Sequence, residues 1–322
     1  MAHVIALCGG VGGAKLAFGL TRVLAPDDLT IVVNTGDDFE HLGLAISPDI
    51  DTVAYTLSGL ADRQKGWGLA GETWSFLEAL RRVGGEDWFQ LGDKDLATHL
   101  ERTRRLAAGE TLSQVTADLS RKFGCAHAIV PMSDQPVRTW VDTAGGALPF
   151  QHYFVRERCA PVARGVRFEG AADSRPSPAF AAALARPDLS AVIVCPSNPY
   201  LSIDPILAVP GVVQAIRAAT APCVAVSPIV RGQAIKGPTA KLMWELGLEP
   251  GTAAVAAHYA GLIDGLILDT EDAADADEVE RQGLAAHVTA TVMRADEDRV
   301  ALARAALGFA TTLSAGRHAR VG

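Results

Sequence analysis

The sequence predicts an α/β protein: a doubly wound, mainly parallel Rossmann-like sheet with a helical layer inserted at about residues 72–122, all 322 residues forming a single domain. Three observations predict it. The chain opens "HVIALCGG", "AKLAFGLTRVLA", "LTIVVNT", a strand–helix–strand order that makes a right-handed parallel crossover. Four later runs, "AHAIVPMS", "SAVIVCPSN", "PCVAVSPIV" and "DGLILDT", are short and apolar throughout, as strands buried on both faces are. Each ends in a polar or Gly/Pro loop, and carboxyl ends of such strands are where open α/β sheets hold ligands.

Taken in order, the first strand covers Val4–Cys8 and breaks into a glycine cluster before the first helix. Residues 72–122 ("ETWSFLEALRRVG" through "LSQVTADLSRKFG") carry helical periodicity and no strand pattern. Residues 137–169 alternate around "AGG", which predicts a hairpin plus one more strand. The acidic "ADADEVERQG" reads as a solvated loop or helix end, and "DEDRVALARAALGFATTL" as a closing helix with an acidic start.

Composition narrows the class. With 49% hydrophobic residues, 31 Gly and 17 Pro, the chain can bury a large core. Its 29 basic and 37 acidic residues leave a net charge of −8 without a basic block, which disfavours nucleic acid but permits a local phosphate pocket. Five scattered cysteines (Cys8, Cys125, Cys159, Cys195, Cys223) lack CxxC spacing and read as reduced thiols. No leader pattern is present and no apolar run reaches the roughly 18 residues of a membrane span, so a soluble cytoplasmic protein is expected.

The chemistry concentrates in a few stretches. In "CGGVGGAK", Gly9, Gly10, Gly12 and Gly13 let the backbone bring N–H groups and a helix N-terminus against an anion, and Lys15 adds charge. The pattern is neither Walker A nor GxGxxG, and a plain strand–helix turn is the structural alternative. "NTGDD" and "SPDIDT" supply Asp37, Asp38, Asp49 and Asp51, hard oxygen ligands suited to Mg²⁺, although Asp before a helix is also a common cap. "WFQLGDKDLATH" offers Asp93, Lys94, Asp95 and His99, for which a capped polar turn is an adequate account. "CPSNPYLSIDPIL" presents Ser197, Asn198 and Ser202, and "VSPIVRGQAIKGPTAKLM" presents Ser227, Arg231, Lys236 and Lys241, a set suited to a polyanion. There is no HExxH, no GxSxG and no recognisable nucleophilic Cys, which favours metal-assisted phosphoryl transfer over covalent catalysis.

In this order, "GGVGGAKL", "VVNTGDD", "SPDIDTVAYTL", "WFQLGDKDLATH", "IVPMSDQPVRT", "FQHYFV", "PSNPYLSIDPIL" and "VAVSPIVRGQAIKGPTAKLM" resemble the 2-phospho-L-lactate transferase family of coenzyme F420 biosynthesis. The resemblance implies a guanosine diphospho-carboxylate donor (lactyl or enolpyruvyl) and the deazaflavin Fo as acceptor. It further implies a phosphodiester product, F420-0 or dehydro-F420-0, release of GMP, and a Mg²⁺ requirement. Asp51 and Gln90 match positions of the family's Fo contacts, although the family often has a basic residue where Gln90 stands. On this reading Asp51, Asp38 and Lys15 are catalytic. Gly9, Gly10, Gly12, Gly13, Asp51, Gln90, Asp93, Ser197, Asn198, Ser202, Ser227 and Lys236 bind substrate. Asp37, Asp38, Asp49 and Asp51 share one metal pocket, and Asp51→Asn is expected to lower turnover at a nearly unchanged melting temperature. A homodimer is the expected assembly. Two other classes compete: a nucleotide-sugar-binding regulatory protein with the same glycine loop, and a nicotinamide dehydrogenase. Lys15 in the loop and "NTGDD" after the second strand argue against the dehydrogenase.

Overall fold

The computed structural model describes residues 2–321, with side chains through residue 315. Seven strands form the central sheet: β1 (His3–Cys8), β2 (Leu29–Val33), β3 (Ala128–Pro131), β4 (Leu189–Val194), β5 (Cys223–Val226), β6 (Gly265–Asp269) and β7 (Ala285–Thr289). Their order is β7-β6-β5-β4-β1-β2-β3, and every neighbouring pair is parallel. Six of the seven are the apolar runs expected from sequence. The exception, β7, is a half-exposed edge strand reading "AAHVT", which lacks the continuous apolar run of the buried strands.

Side-chain alternation makes the sheet doubly wound. Ile5 and Leu7 of β1 enter one core, whereas Val4, Ala6 and Cys8 enter the other. The second core is roofed by α1 (Gly10–Thr21), α2 (Pro48–Leu57) and the closing helix α6 (Asp296–Val321). Across the sheet lie helices Val212–Ala218, Thr239–Glu245 and Thr252–His258, together with a three-stranded antiparallel sheet of Arg138–Thr143, Gly146–Pro149 and Ala163–Glu169. That small sheet is the expected hairpin with its extra strand. No single helix among the described residues is long and apolar enough to cross a membrane.

The insertion is helical as expected, with α3 (Ser75–Arg82), α4 (Asp93–Ala107) and α5 (Leu112–Lys122), and α5 packs on β3 at one edge of the sheet. Thr111 and Gln114 close a capping box on α5. Asp93, expected to bind substrate, instead caps α3. Its carboxylate accepts from the N–H of Ser75 (3.1 Å) and Phe76 (3.0 Å) and from the Thr73 hydroxyl (2.6 Å). Glu72 answers from the other side, accepting from the N–H of Lys94 and Asp95 at the start of α4. Asp93→Ala should therefore lower the melting temperature and leave steady-state turnover intact; a selective loss of activity would return Asp93 to the site.

A short hairpin that the sequence reading did not foresee joins Phe39–His41 to Leu44–Ile46. Leu42 and Gly43 both take left-handed φ (54° and 74°), the geometry of a tight two-residue turn. The sheet order places the topological switch between β1 and β4, where loops leave in opposite directions and open a crevice.

Candidate functional site

A cleft of about 710 Å³ occupies that crevice. Its polar end is the β1–α1 loop. Gly10 has φ +62°, and its N–H donates to Asp49 Oδ1 at 2.7 Å. The loop lies so close to the turn after β4 that a Cβ on Gly12 would collide with the Pro196 carbonyl and one on Gly13 with Ser197 Oγ and Cys8. Ser197 Oγ accepts from Gly9 N–H (3.1 Å) and donates to the Gly9 carbonyl (2.9 Å), stitching the two loops together. Gly9, Gly10 and Gly12 line the cleft, but Gly13 does not: it is spent on close contact with β1 and Ser197. Gly12→Ala is expected to cost about 1–3 kcal/mol through overpacking, read as a lower urea midpoint at constant m-value.

The four aspartates separate into different environments, contrary to the single pocket expected for them. Asp37 and Asp49 line the cleft. Asp49 also accepts from Asn34 Nδ2 at 2.9 Å, and burial pushes its carboxyl up to about 6 against the pull of these hydrogen bonds. Asp37 has a buried carboxylate oxygen with no partner, and burial followed by the nearby Asp49 charge holds it well above the ordinary carboxylate range. Asp38 is turned away from the cleft and accepts from the Ser47 hydroxyl at 2.9 Å; burial raises it to about 7 despite Arg138 and Arg102 nearby.

Asp51 stands two positions after Asp49 on α2, roughly 200° around the helix. It therefore faces a smaller adjoining cavity of about 80 Å³. There it forms a bidentate ion pair with the buried Arg102, one arm at 3.0 Å and the other shorter. His99 lies between Asp51 (Nδ1–Oδ2 3.7 Å) and Asp95 (Nε2–Oδ2 3.4 Å), and Tyr55 donates to Asp95 at 2.6 Å. Asp51, Asp95 and His99 could jointly hold a cation by distance, but the Arg102 guanidinium already neutralises Asp51. Pro48, Thr52, Trp67, Phe89 and Gln90 line both cavities, so the two communicate along one wall. The sequence reading missed Arg102 altogether, although Asp95, His99 and Arg102 follow i, i+4, i+7 spacing along one face of α4.

Other expected residues are placed as follows. Lys15 lines the cleft and donates to the Met293 carbonyl at 2.8 Å; burial and then the charges of Arg299 and Lys236 lower its pKa. Asn198 and Ser202 line the cleft, and Asn198 Oδ1 caps the turn at Tyr200 and Leu201 while its buried Nδ2 has no partner. Ser227, Lys236 and Gln90 also line it. An aromatic wall of Trp67, Trp88, Phe89, Phe150 and Phe154 was not anticipated. Phe150 and Phe154 stack at 5.4 Å, and Phe89 meets Trp88 edge-on at 5.8 Å. These residues come from three distant segments, so no local pattern announces the wall. Among the described residues no cysteine lines the cleft. The cleft thus joins a floor of carboxylates and backbone N–H groups to a flat aromatic flank, suited to a phosphate ester at one end and a planar ring at the other.

Comparison with known proteins gives the family. Residues 4–307 match the family model described as 2-phospho-L-lactate transferase CofD. The chain is 41% identical over 321 residues to a phosphoenolpyruvate transferase of Kitasatospora aureofaciens, covering 98% of this chain and 99% of that one. It is 37% identical over 300 residues to a 2-phospho-L-lactate transferase of Methanosarcina mazei, covering 93% and 98%. In fold it is similar to the crystal structure of a UPF0052 family protein of Bacillus halodurans, with a TM-score of 0.65 and 17% identity over 95% of this chain and 100% of that one, a likeness of architecture alone.

Proposed function

Because the chain belongs to the 2-phospho-L-lactate transferase family and is a transferase, we propose that it moves the phospho-carboxylate part of a guanosine diphospho donor onto the terminal hydroxyl of the deazaflavin Fo. F420-0 or its dehydro form is made and GMP leaves. The observation that carries this reading is the two-ended cleft, in which the carboxylates and glycine loop share one volume with the aromatic flank.

The residues fit Mg²⁺. Asp37 offers a buried oxygen without a partner beside the Asp49 carboxylate, and both are hard ligands of the kind that cation takes. Asp37 and Asp49 would hold it, and when bound it would neutralise charge on phosphate oxygens. Around that point the chain's own groups orient the reactants. Lys15 and the N-terminus of α1 favour negative charge building on the phosphoryl oxygens. Gln90 and the aromatic wall hold the acceptor against the second cavity, where the Asp51–Arg102 pair fixes the floor. Among the described cleft residues no serine is paired with a base that would activate it, so the acceptor hydroxyl displaces GMP directly. Its oxygen bonds to phosphorus, the phosphorus–oxygen bond to GMP breaks and the hydroxyl proton passes to solvent, a reaction that needs positioning and charge neutralisation above all.

The test is incubation with Fo, Mg²⁺ and lactyl or enolpyruvyl donor, followed by mass spectrometry and initial-rate kinetics. Expected are a phosphodiester of Fo, stoichiometric GMP, sequential kinetics, and no GMP when Fo is withheld. A GMP burst without Fo would establish a covalent step and overturn direct displacement. Calorimetry should likewise find guanosine diphosphate bound and NAD not bound; the reverse order would defeat the reading.

A further inference from the structure

The segment that supplies Phe150 and Phe154 ends in unusual backbone. Residues His152–Arg156 form a single π-helical turn, and Arg158 and Cys159 then both take left-handed φ, 50° and 56°. Two consecutive non-glycine residues in that region are strained, and such strain collects where a side chain must be aimed. The turn is anchored from behind. The Cys159 side chain is buried, its N–H donates to the Tyr153 carbonyl at 2.8 Å, and Ala160 N–H donates to the Glu157 carbonyl at 2.8 Å. Tyr153 is itself buried and accepts from Lys241 Nζ at 3.3 Å.

What the anchored turn presents is Arg158. It lines the cleft beside Phe154 and Val155, and it is the one guanidinium among the described lining residues. The other lining cations are Lys15, Lys65 and Lys236. Lys15 already donates to Met293, and Lys65 sits over the rings of Trp67 and Trp74. Among the described residues no carboxylate engages Arg158, whose side chain is exposed at the cleft. A carboxylate-bearing donor brings a further negative group into a cleft already floored by Asp37 and Asp49. A planar guanidinium meets a planar carboxylate through two parallel N–H···O bonds, which a lysine cannot reproduce.

We propose that Arg158 is the clamp for the carboxylate of the three-carbon acid on the donor, held ready by the strained turn at residues 158–159. The assignment rests on the functional reading above. It makes Arg158 a binding and specificity residue: it selects donors whose transferred group carries a carboxylate and is indifferent to the guanosine diphosphate portion.

Arg158→Gly tests it, because glycine accepts the left-handed backbone without strain. Donor affinity, measured by calorimetry and as donor KM, should weaken by about 10- to 100-fold, the loss of a charge-assisted bidentate contact. Guanosine diphosphate affinity and the KM for Fo should stay within about twofold, a change too small to register as a lost contact. The melting temperature should not fall, and Arg158→Lys should recover part of the donor affinity but not all. An equal loss of guanosine diphosphate affinity would place Arg158 on the phosphates. A rise confined to the KM for Fo would place it on the acceptor ring. Unchanged donor affinity would show that it binds neither, and each of these results overturns the clamp. If wild-type protein makes no phosphodiester, the functional reading fails, while donor binding by calorimetry still decides the clamp.

Discussion

Asp51→Asn should lose about 3–5 kcal/mol of unfolding free energy, because it strands the buried Arg102 charge without its partner. Urea melts will show this as a fall in midpoint. The expectation from sequence, lost turnover at an unchanged melting temperature, is thereby replaced. Arg102→Met should be comparably damaging, since it leaves the carboxylate facing His99 and Asp95 in a cavity of about 80 Å³. The informative variant is the double replacement Asp51→Asn with Arg102→Met, which closes the cycle with the two single variants. If the ion pair is the dominant link, the double variant should be more stable than either single one, with a coupling energy of a few kcal/mol. A loss near 1 kcal/mol for Asp51→Asn, with no coupling, would instead mark Asp51 as an ordinary first-turn helix residue.

The second large effect has the opposite sign in stability. On the proposed reading, in which Asp37 helps to hold Mg²⁺, Asp37→Asn should stabilise the protein at pH 8 and lower turnover by on the order of a hundredfold through weakened metal binding. The sign follows from proton linkage. Asp37 is held above its ordinary pKa in the folded state, chiefly by burial and then by Asp49. Its contribution to stability is therefore complete at pH below about 4, the unfolded carboxylate value, and is lost as pH rises through the folded pKa. Asparagine carries no charge to confine, so the variant and the wild type should melt alike in acid and diverge in its favour toward pH 8. On the proposed reading Mg²⁺ should narrow the gap by stabilising wild type more than the variant, and its apparent affinity should rise with pH because binding would displace protons from Asp37 and Asp49. A variant that melts below wild type at pH 8 would show that Asp37 is structurally needed as an anion.

Much of this architecture was legible because strands buried on both faces tolerate few polar residues. β1, β2 and β5 are buried along their whole length, and apart from His3 and Thr30, which hydrogen-bond each other at 3.0 Å, the sequence there is apolar. Cleft-lining loops were legible for a related reason: carboxyl ends of parallel strands are where polar loops accumulate, and Ser197, Asn198 and Ser227 are such residues. What failed was direction. Asp49 and Asp51 are close in sequence, yet the turn of α2 sends one to the cleft and the other to Arg102. Gly13 and Asp93 failed similarly. Each residue type suits a ligand, but one spacer-free contact with Ser197 and one cap on α3 account for them. The aromatic wall and Arg158 escaped because their cleft is assembled from segments that meet only after folding.

The contact between Lys15 and the Met293 carbonyl has a consequence for synthesis. The glycine loop and both cleft aspartates leave the ribosome within the first fifty residues, whereas Ser197, Ser227 and Met293 follow far behind. Gly19 in α1 is pressed against the backbone of Arg299 in α6, so the first helix, which packs on α2 from early in the chain, has this second face covered only when nearly the whole chain has emerged. Until then the nascent protein owns a glycine loop with no opposing wall. A chain halted early can neither complete the cleft nor cover the α6 face of α1, and apolar surface left open in this way is aggregation-prone until the carboxyl-terminal helix arrives.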